Sequence, residues 1–497
     1  MQTLKKLPLI ILIGSLSACG GSDYGLSGVN GAGGTGTVLL QEATVTPPAA
    51  PSTPGAAGQP APDESSTFLA SAYQGGLAEI QMSQLALERA TSNGVKEFAQ
   101  NMIDHHTALN NEITQLAQRK AITLPTTPPA DLAAQVSSLS ALPAEQFDLA
   151  YIQQSANMHE RDVLAARTQA QQGTDQDVRR LARTALPLLK IHLAASEERA
   201  TVLNPNVFLA LAYRDGLAEV QLSQLAVQRA SNAEVRAYAQ RMIDEHTQAN
   251  AQIAALAQQE GATLPDAPSP VQQAKAAELA GFTGADFDEA YMDENVIMHA
   301  KSVRLFREQG DDGRDAEVKA FAAANESALT QHLIEALETD SAVQPSFPFL
   351  AFQDGEAEIA LSQFALRRAG NADVRAFAQQ MVTNHTAANA QLEQQARAAN
   401  RPLPVDVAPE HLLAVAALVD RSGQEFDEAY MELNVRVHER DLAAANAAAQ
   451  QTADPFASAA AQAAQPMLNE HLAQAQALRD QLGDGESEES QESQQSQ

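Results

Sequence analysis

The sequence has no tryptophan, one cysteine in 497 residues, and only 4% aromatic side chains. A single thiol, Cys19, can close no intramolecular disulfide, and it cannot build a zinc knuckle or an iron–sulfur site. Basic residues are also scarce: 32 Lys and Arg stand against 62 Asp and Glu, a formal net charge of −30. Phosphate contacts need clustered cations, so no nucleic-acid partner is expected. Strand patterning is missing as well. The hydrophobic fraction of 44% is ordinary for a folded chain. Much of it is alanine, which favours helices that approach closely over thin cores.

What is present begins with an address. Lys5 and Lys6 precede an apolar stretch, residues 7–16, too short to span a bilayer as a mature helix. The stretch ends in Leu16, Ser17, Ala18 and Cys19. This pattern resembles a bacterial lipoprotein signal, with residues 1–18 removed before the cysteine. The resemblance implies a lipid on the Cys19 sulfur, a membrane as partner through that lipid, and a place in the bacterial cell envelope. A capped thiol also avoids an unpaired cysteine in an oxidising compartment. Gly20 stands where some bacteria use an aspartate for inner-membrane retention, which favours the outer membrane, facing the periplasm or the cell surface. Residues 19–64 are rich in Gly, Ala and Pro, and Pro47, Pro48, Pro51, Pro54, Pro60 and Pro62 exclude a helix there. A disordered tether is expected, roughly 35–40 Å in root-mean-square span. Residues 483–497 are polar and acidic and are expected to be disordered too.

Between these ends one unit occurs three times. AYQGGLAEIQMSQLALERA returns as AYRDGLAEVQLSQLAVQRA and as AFQDGEAEIALSQFALRRA. Anchor residues step by 140 and then 139 positions, as in Phe147, Phe287 and Phe426. The period is too long for a solenoid, so three tandem domains are expected over 65–203, 204–342 and 343–482. In the first copy the pattern predicts four long helices near 65–91, 93–120, 144–172 and 175–203. Ser92 or Asn93, and Thr174 or Asp175, are candidate caps. Ser422 and Glu425 read as a capping box in the third copy. A longer crossover with Pro125, Pro128 and Pro129, and room for a short helix, separates the second and third long helices. The fold class is therefore all-α: three tandem four-helix bundles of ferritin-like topology after a disordered N-terminal tether. Short joints at Asn204, Pro205 and at Gln344, Pro345 predict a semi-rigid row of bundles.

Nine of the eleven histidines recur at three positions: His106, His246 and His385; His159, His299 and His438; His192, His332 and His471. Only His105 and His411 fall outside the pattern. In the first copy, Glu79, His106, His159 and His192 each lie within a turn of a helix midpoint, so an antiparallel bundle brings them to one level. They also interrupt apolar stripes, such as Phe68, Ala72, Glu79, Met82 and Ala86. Glu219 and Glu358 repeat that interruption. A core glutamate is costly unless it is paired or binds a cation. Three imidazoles and a carboxylate suit a divalent transition metal, with iron, manganese, zinc and copper all open. A buried hydrogen-bonded layer without metal is the alternative. Asp162 and Asp441 follow their histidines by one turn and are candidates for a further ligand or for supporting a ligand from behind. Ser302 takes that place in the second copy. Tyr151, Tyr291 and Tyr430 read as core residues with a satisfied hydroxyl, and Asp148, Asp288 and Asp427 as helix N-terminal charges.

The strings AEIQMSQLALERA, VKEFAQNMIDHHTALN, FDLAYIQQSANMHERDV and LPLLKIHLAAS make each unit resemble the domain-of-unknown-function family 4142. The resemblance spans about 65–482 and implies a ferritin-like bundle and an envelope location, with no established activity. The units depart from di-iron ferritins: Ile103, Ala156 and Leu189 stand where a Glu-x-x-His pair needs glutamate. Ferroxidase chemistry lacks ligands, and no catalytic constellation is apparent. The leading expectation is a non-enzymatic metal-buffering or scavenging lipoprotein. A metal-free structural module comes second and a metal-dependent oxidoreductase third.

Overall fold

The computed structural model describes residues 63–495, except 412–417, 419, 420 and 452, with side chains up to residue 483. The expected signal, Cys19 and the tether up to residue 62 lie outside these residues. Every long element is a helix, and no strand occurs among the described residues beyond one isolated bridge between Ala369 and Gly423.

Unit 1 comprises α1 (Glu64–Arg89), α2 (Asn93–Arg119), a short α3 (Ala130–Ser140), α4 (Ala144–Gln172) and α5 (Gln176–Leu203). Unit 2 repeats this with α6 (Pro205–Arg229), α7 (Ala233–Glu260), α8 (Pro270–Leu279), α9 (Ala285–Asp312) and α10 (Ala316–Asp340). Unit 3 has α11 (Phe347–Arg368), α12 (Ala372–Ala398), α13 (Gly423–Ala449) and α14 (Pro455–Gln495). In each unit two helical hairpins pack on each other, α1 on α4 and α2 on α5 in the first. The crossover carries the expected short helix in units 1 and 2.

Local chemistry sets most of the boundaries. Asp175 caps α5 by accepting from the Asp177 and Val178 amides at 3.0 and 3.1 Å. Asn204 ends α5 and caps α6, whose first residue is Pro205, so the two units share one residue of joint. Gly261 closes α7 in the left-handed region, φ 66°. The capping box expected at Ser422 is not formed: Ser422 is the N-cap residue but its side chain makes no cap bond. The next residue, Gly423, takes a positive φ of 58° to meet Ala369, which turns the chain away from box geometry. The box occurs instead at Ser269 and Gln272, opening α8. The last helix also runs on past residue 482 to Gln495, through the segment expected to be without structure. Adding residues to an existing helix costs far less than nucleating one, and Glu and Gln are good helix formers.

The cores are thin, as alanine implies: Ala78, Ala86 and Ala99 are fully buried beside Met82, Phe98, Tyr151 and Ile152. One contact fixes the approach of the first two helices in every unit. A Cβ on Gly76 would lie 2.5 Å from Asn110 Oδ1; on Gly216, 2.2 Å from Asn250 Oδ1; on Gly355, 2.4 Å from Asn389 Oδ1. Each glycine sits three residues before the core glutamate, and each asparagine four residues after the second-helix histidine. The missing side chain thus sets the register of the polar layer.

The three units do not form a row. Arg167 of unit 1 is buried and pairs with Glu278 of unit 2 and, at 2.7 Å, with Asp406 of unit 3. Lys275 and Lys190 reach the same Asp406 at 2.9 and 3.2 Å. Arg179 and Arg183 of unit 1 meet Glu393 and Glu356 of unit 3 at 3.0 and 3.1 Å. The unit 3 crossover around Val405 and Asp406 enters the cleft between units 1 and 2, which closes the row into a cluster. No helix among the described residues is long and apolar enough to cross a membrane.

Candidate metal centre

The nine recurrent histidines converge as three triads: His106, His159 and His192; His246, His299 and His332; His385, His438 and His471. In each, one ring nitrogen per residue lies within 4.8 Å of the other two. The second, third and fourth long helices supply one histidine apiece, as the helix midpoints predict. All are buried except His246, which is partly exposed.

The third-helix histidine is fixed by its own helix. His159 Nδ1 donates to the Ser155 carbonyl at 2.8 Å, His299 Nδ1 to Asn295 at 2.9 Å, and His438 Nδ1 to Asn434 at 2.9 Å. A neutral imidazole carries one proton, so this bond leaves Nε2 bare and facing inward. In unit 1, His159 Nε2 lies 3.2 Å from both His106 Nε2 and His192 Nδ1. In unit 2, His299 Nε2 lies 3.3 Å from His246 Nε2, and in unit 3, His438 Nε2 lies 3.2 Å from His471 Nδ1. Three nitrogens at bonds of 2.0–2.1 Å on a tetrahedral ion would sit about 3.3 Å apart.

At His106, His159, His192, His246, His299, His438 and His471 burial disfavours the charged form, and the neutral form is the one that binds metal. Burial lowers His159 to about 4 and, with neighbouring rings adding to it, His246 and His471 to about 3. His106, His192 and His299 fall well below the usual range for the same reasons.

The glutamates share the layer but not one position. Glu79 is fully buried, 3.7 Å from His159 Nδ1 on the side away from the converging nitrogens, and neither carboxyl oxygen has a hydrogen-bond partner. Desolvation, helped by Asp162, raises it well above the usual carboxylate range. Glu219 accepts from Ser223 Oγ at 3.3 Å, and burial raises it to about 8. Glu358 turns onto His385 Nε2 and lies 3.3 Å from His438 Nδ1. There burial is outweighed by His385, His438 and His471, and the carboxylate is held below its usual range. Glu358 thus already touches a ring of its triad, whereas Glu79 and Glu219 stand off theirs.

Asp162 and Asp441 lie close enough to the glutamates to act on them electrostatically. Asp162 adds to the raising of Glu79, and Asp441 contacts Arg440 at 3.3 Å next to Asp354. Tyr151, Tyr291 and Tyr430 share hydrogen bonds with Ser83, Ser223 and Ser362 at 2.8, 2.8 and 2.7 Å, as core hydroxyls should. Asp148, Asp288 and Asp427 do serve a helix N-terminus, but that of the second helix. Asp148 accepts from the Thr91 and Ser92 amides at 3.0 and 2.9 Å, and Asp288 and Asp427 repeat this.

One position escaped sequence reasoning. The residue before each second-helix histidine holds the outer nitrogen of the fourth-helix histidine. His105 Nδ1 is 2.9 Å from His192 Nε2, Glu245 accepts from His332 Nε2, and Asn384 Nδ2 is 2.9 Å from His471 Nε2. Its identity changes from copy to copy, so recurrence could not reveal it. The remaining histidine, His411, pairs with Asp354 outside the triads.

The donor set fits a metal. His159 Nε2 offers one lone pair and faces two nitrogens at equal distance, so hydrogen bonding can satisfy only one of them. His332 Nδ1 is buried without a partner, as are both oxygens of Glu79. A cation bound by each triad and its glutamate would satisfy all of these atoms at once.

No curated protein and no solved structure matches the chain. Residues 50–198, 194–339 and 341–478 each match the Domain of unknown function (DUF4142), and with three such domains in tandem the chain belongs to that family.

Proposed function

We propose that the protein binds a divalent transition metal at three mononuclear sites and buffers or scavenges it in the bacterial cell envelope, held to a membrane by a lipid on Cys19. Each site uses three imidazoles, with Glu79, Glu219 or Glu358 rotating in as an oxygen ligand. The carrying observation is the tautomer-fixed Nε2 of His159, His299 and His438, aimed at the neighbouring rings in three separate units. Zinc, copper, iron and manganese are all compatible with these donors. The surplus of acidic residues would raise the local cation concentration, less so at physiological salt.

A metal-free structural role is best supported in unit 3, where Glu358 already engages His385 and His438. Elemental analysis of chain purified without chelator separates the two readings. About three equivalents of transition metal are expected, lost when His106, His246 and His385 are all changed to alanine. A folded chain that stays empty after metal is supplied would establish the metal-free reading.

A further inference from the structure

Each triad draws one ring from the second, third and fourth long helices, but the residue behind the fourth-helix histidine differs from unit to unit. That ring presents Nδ1 to the triad and Nε2 outward, as the 3.2 Å contacts of His192 and His471 Nδ1 show. What meets Nε2 decides which nitrogen carries the proton. A carboxylate at Glu245 accepts from His332 Nε2, which fixes a proton there, and the neutral ring then offers Nδ1 bare toward the site. The buried, unpartnered His332 Nδ1 is that bare position. A carboxylate behind a ligand imidazole also raises its basicity. Asn384 turns its amide nitrogen to His471 Nε2, which makes Nε2 the acceptor and puts the proton on Nδ1, 3.2 Å from His438 Nε2. Metal binding there requires an amide flip and a change of tautomer. An imidazole nitrogen at His105 can donate or accept toward His192 according to its tautomer.

We infer that His105, Glu245 and Asn384 are positioning residues that rank the three sites in metal affinity, unit 2 tightest, unit 1 intermediate and unit 3 weakest. The inference rests on the metal-binding reading above and extends it. Unequal sites fill in sequence, so the chain buffers over a range of free metal rather than at one concentration.

The test uses the full chain with one working site at a time, the others disabled by alanine at the second-helix histidine (His246→Ala, for example), and folding checked by circular dichroism. Zinc alone is the probe, in competition with a chromophoric chelator. The unit 2 site should bind at least about tenfold more tightly than the unit 3 site. Glu245→Ala should weaken it about 10–100-fold, the range for losing a group behind a metal-bound histidine, and Glu245→Gln should recover part of the loss. Asn384→Glu should tighten unit 3. Ring ¹⁵N shifts of the metal-free chain should place the His332 proton on Nε2, and Glu245→Ala should release that preference. Equal affinities at the three sites, or a Glu245→Ala change within about twofold, would overturn the ranking while leaving metal binding intact. Zinc binding at none of the sites in a folded chain would overturn both.

Discussion

At Glu219 and His246 burial acts on groups of opposite charge type, and the pH dependence of stability follows from both. Glu219 in the fold loses its proton only near pH 8, against an ordinary value of 4.5. Its contribution is therefore full below pH 4.5 and is lost as pH rises to about 8. His246 is depressed from 6.5 to about 3, so its contribution is present above pH 6.5 and fades as pH falls toward 3. Glu219→Gln should raise the Tm of the metal-free chain by several degrees at pH 8 and leave it nearly unchanged at pH 4.5. An equal shift at both would contradict the assignment of a buried, protonated carboxyl. The histidine layer was legible at this scale because polar residues interrupt apolar stripes at the same place in three copies. The rotation of Glu79 toward Nδ1 of His159 was not, because stripe position gives a helix face and no side-chain torsion. Glu245 was hidden for another reason: its counterparts, His105 and Asn384, share its place but not its chemistry.

Among the helices, the layer's register depends on close approach of the first two in each unit. Gly216→Ala would place a methyl 2.2 Å from Asn250 Oδ1. Overpacking of this kind costs about 1–3 kcal/mol. It should lower Tm and weaken metal binding in unit 2 together. The same substitution at Gly483, with nothing within 4 Å, should instead stabilise its helix by about 0.5–1 kcal/mol. Thermal unfolding of the two variants checks the contrast, and a neutral Gly216→Ala would remove glycine's role in the register. Helix boundaries in unit 1 were readable to within two residues, since Asp175 and the 3.6-residue stripe are local signals. The Ser422 box failed because Gly423 answers to Ala369, a residue 54 positions earlier in the chain.

For the molecule as a whole, the three units close around a buried ionic junction. Arg167, Glu278 and Asp406 come from three different units; Arg167 has a like residue in the second copy, Arg307, but that one pairs with Glu326 inside its own unit. Repeats expose what copies have in common, so a junction made of unlike residues left no mark in the sequence. The short joints were visible and suggested a row. The insertion of the unit 3 crossover between its neighbours was not. Arg167→Met removes the guanidinium that joins the two buried carboxylates, and breaking a buried ion pair by removing one partner costs about 3–5 kcal/mol. The variant should unfold at lower denaturant concentration and scatter X-rays as a more extended particle. Wild-type scattering from a linear array would contradict the closed arrangement.

The central claim is that imidazoles from three helices converge on one metal in each unit. X-ray absorption at the zinc edge of the fully loaded chain addresses it most directly. The account predicts three zinc ions per chain, each with imidazole multiple scattering from three histidines at about 2.0–2.1 Å and a lighter oxygen contribution from the glutamate. A spectrum dominated by oxygen ligands, with one imidazole or none per zinc, would place the metal on the acidic surface and contradict it.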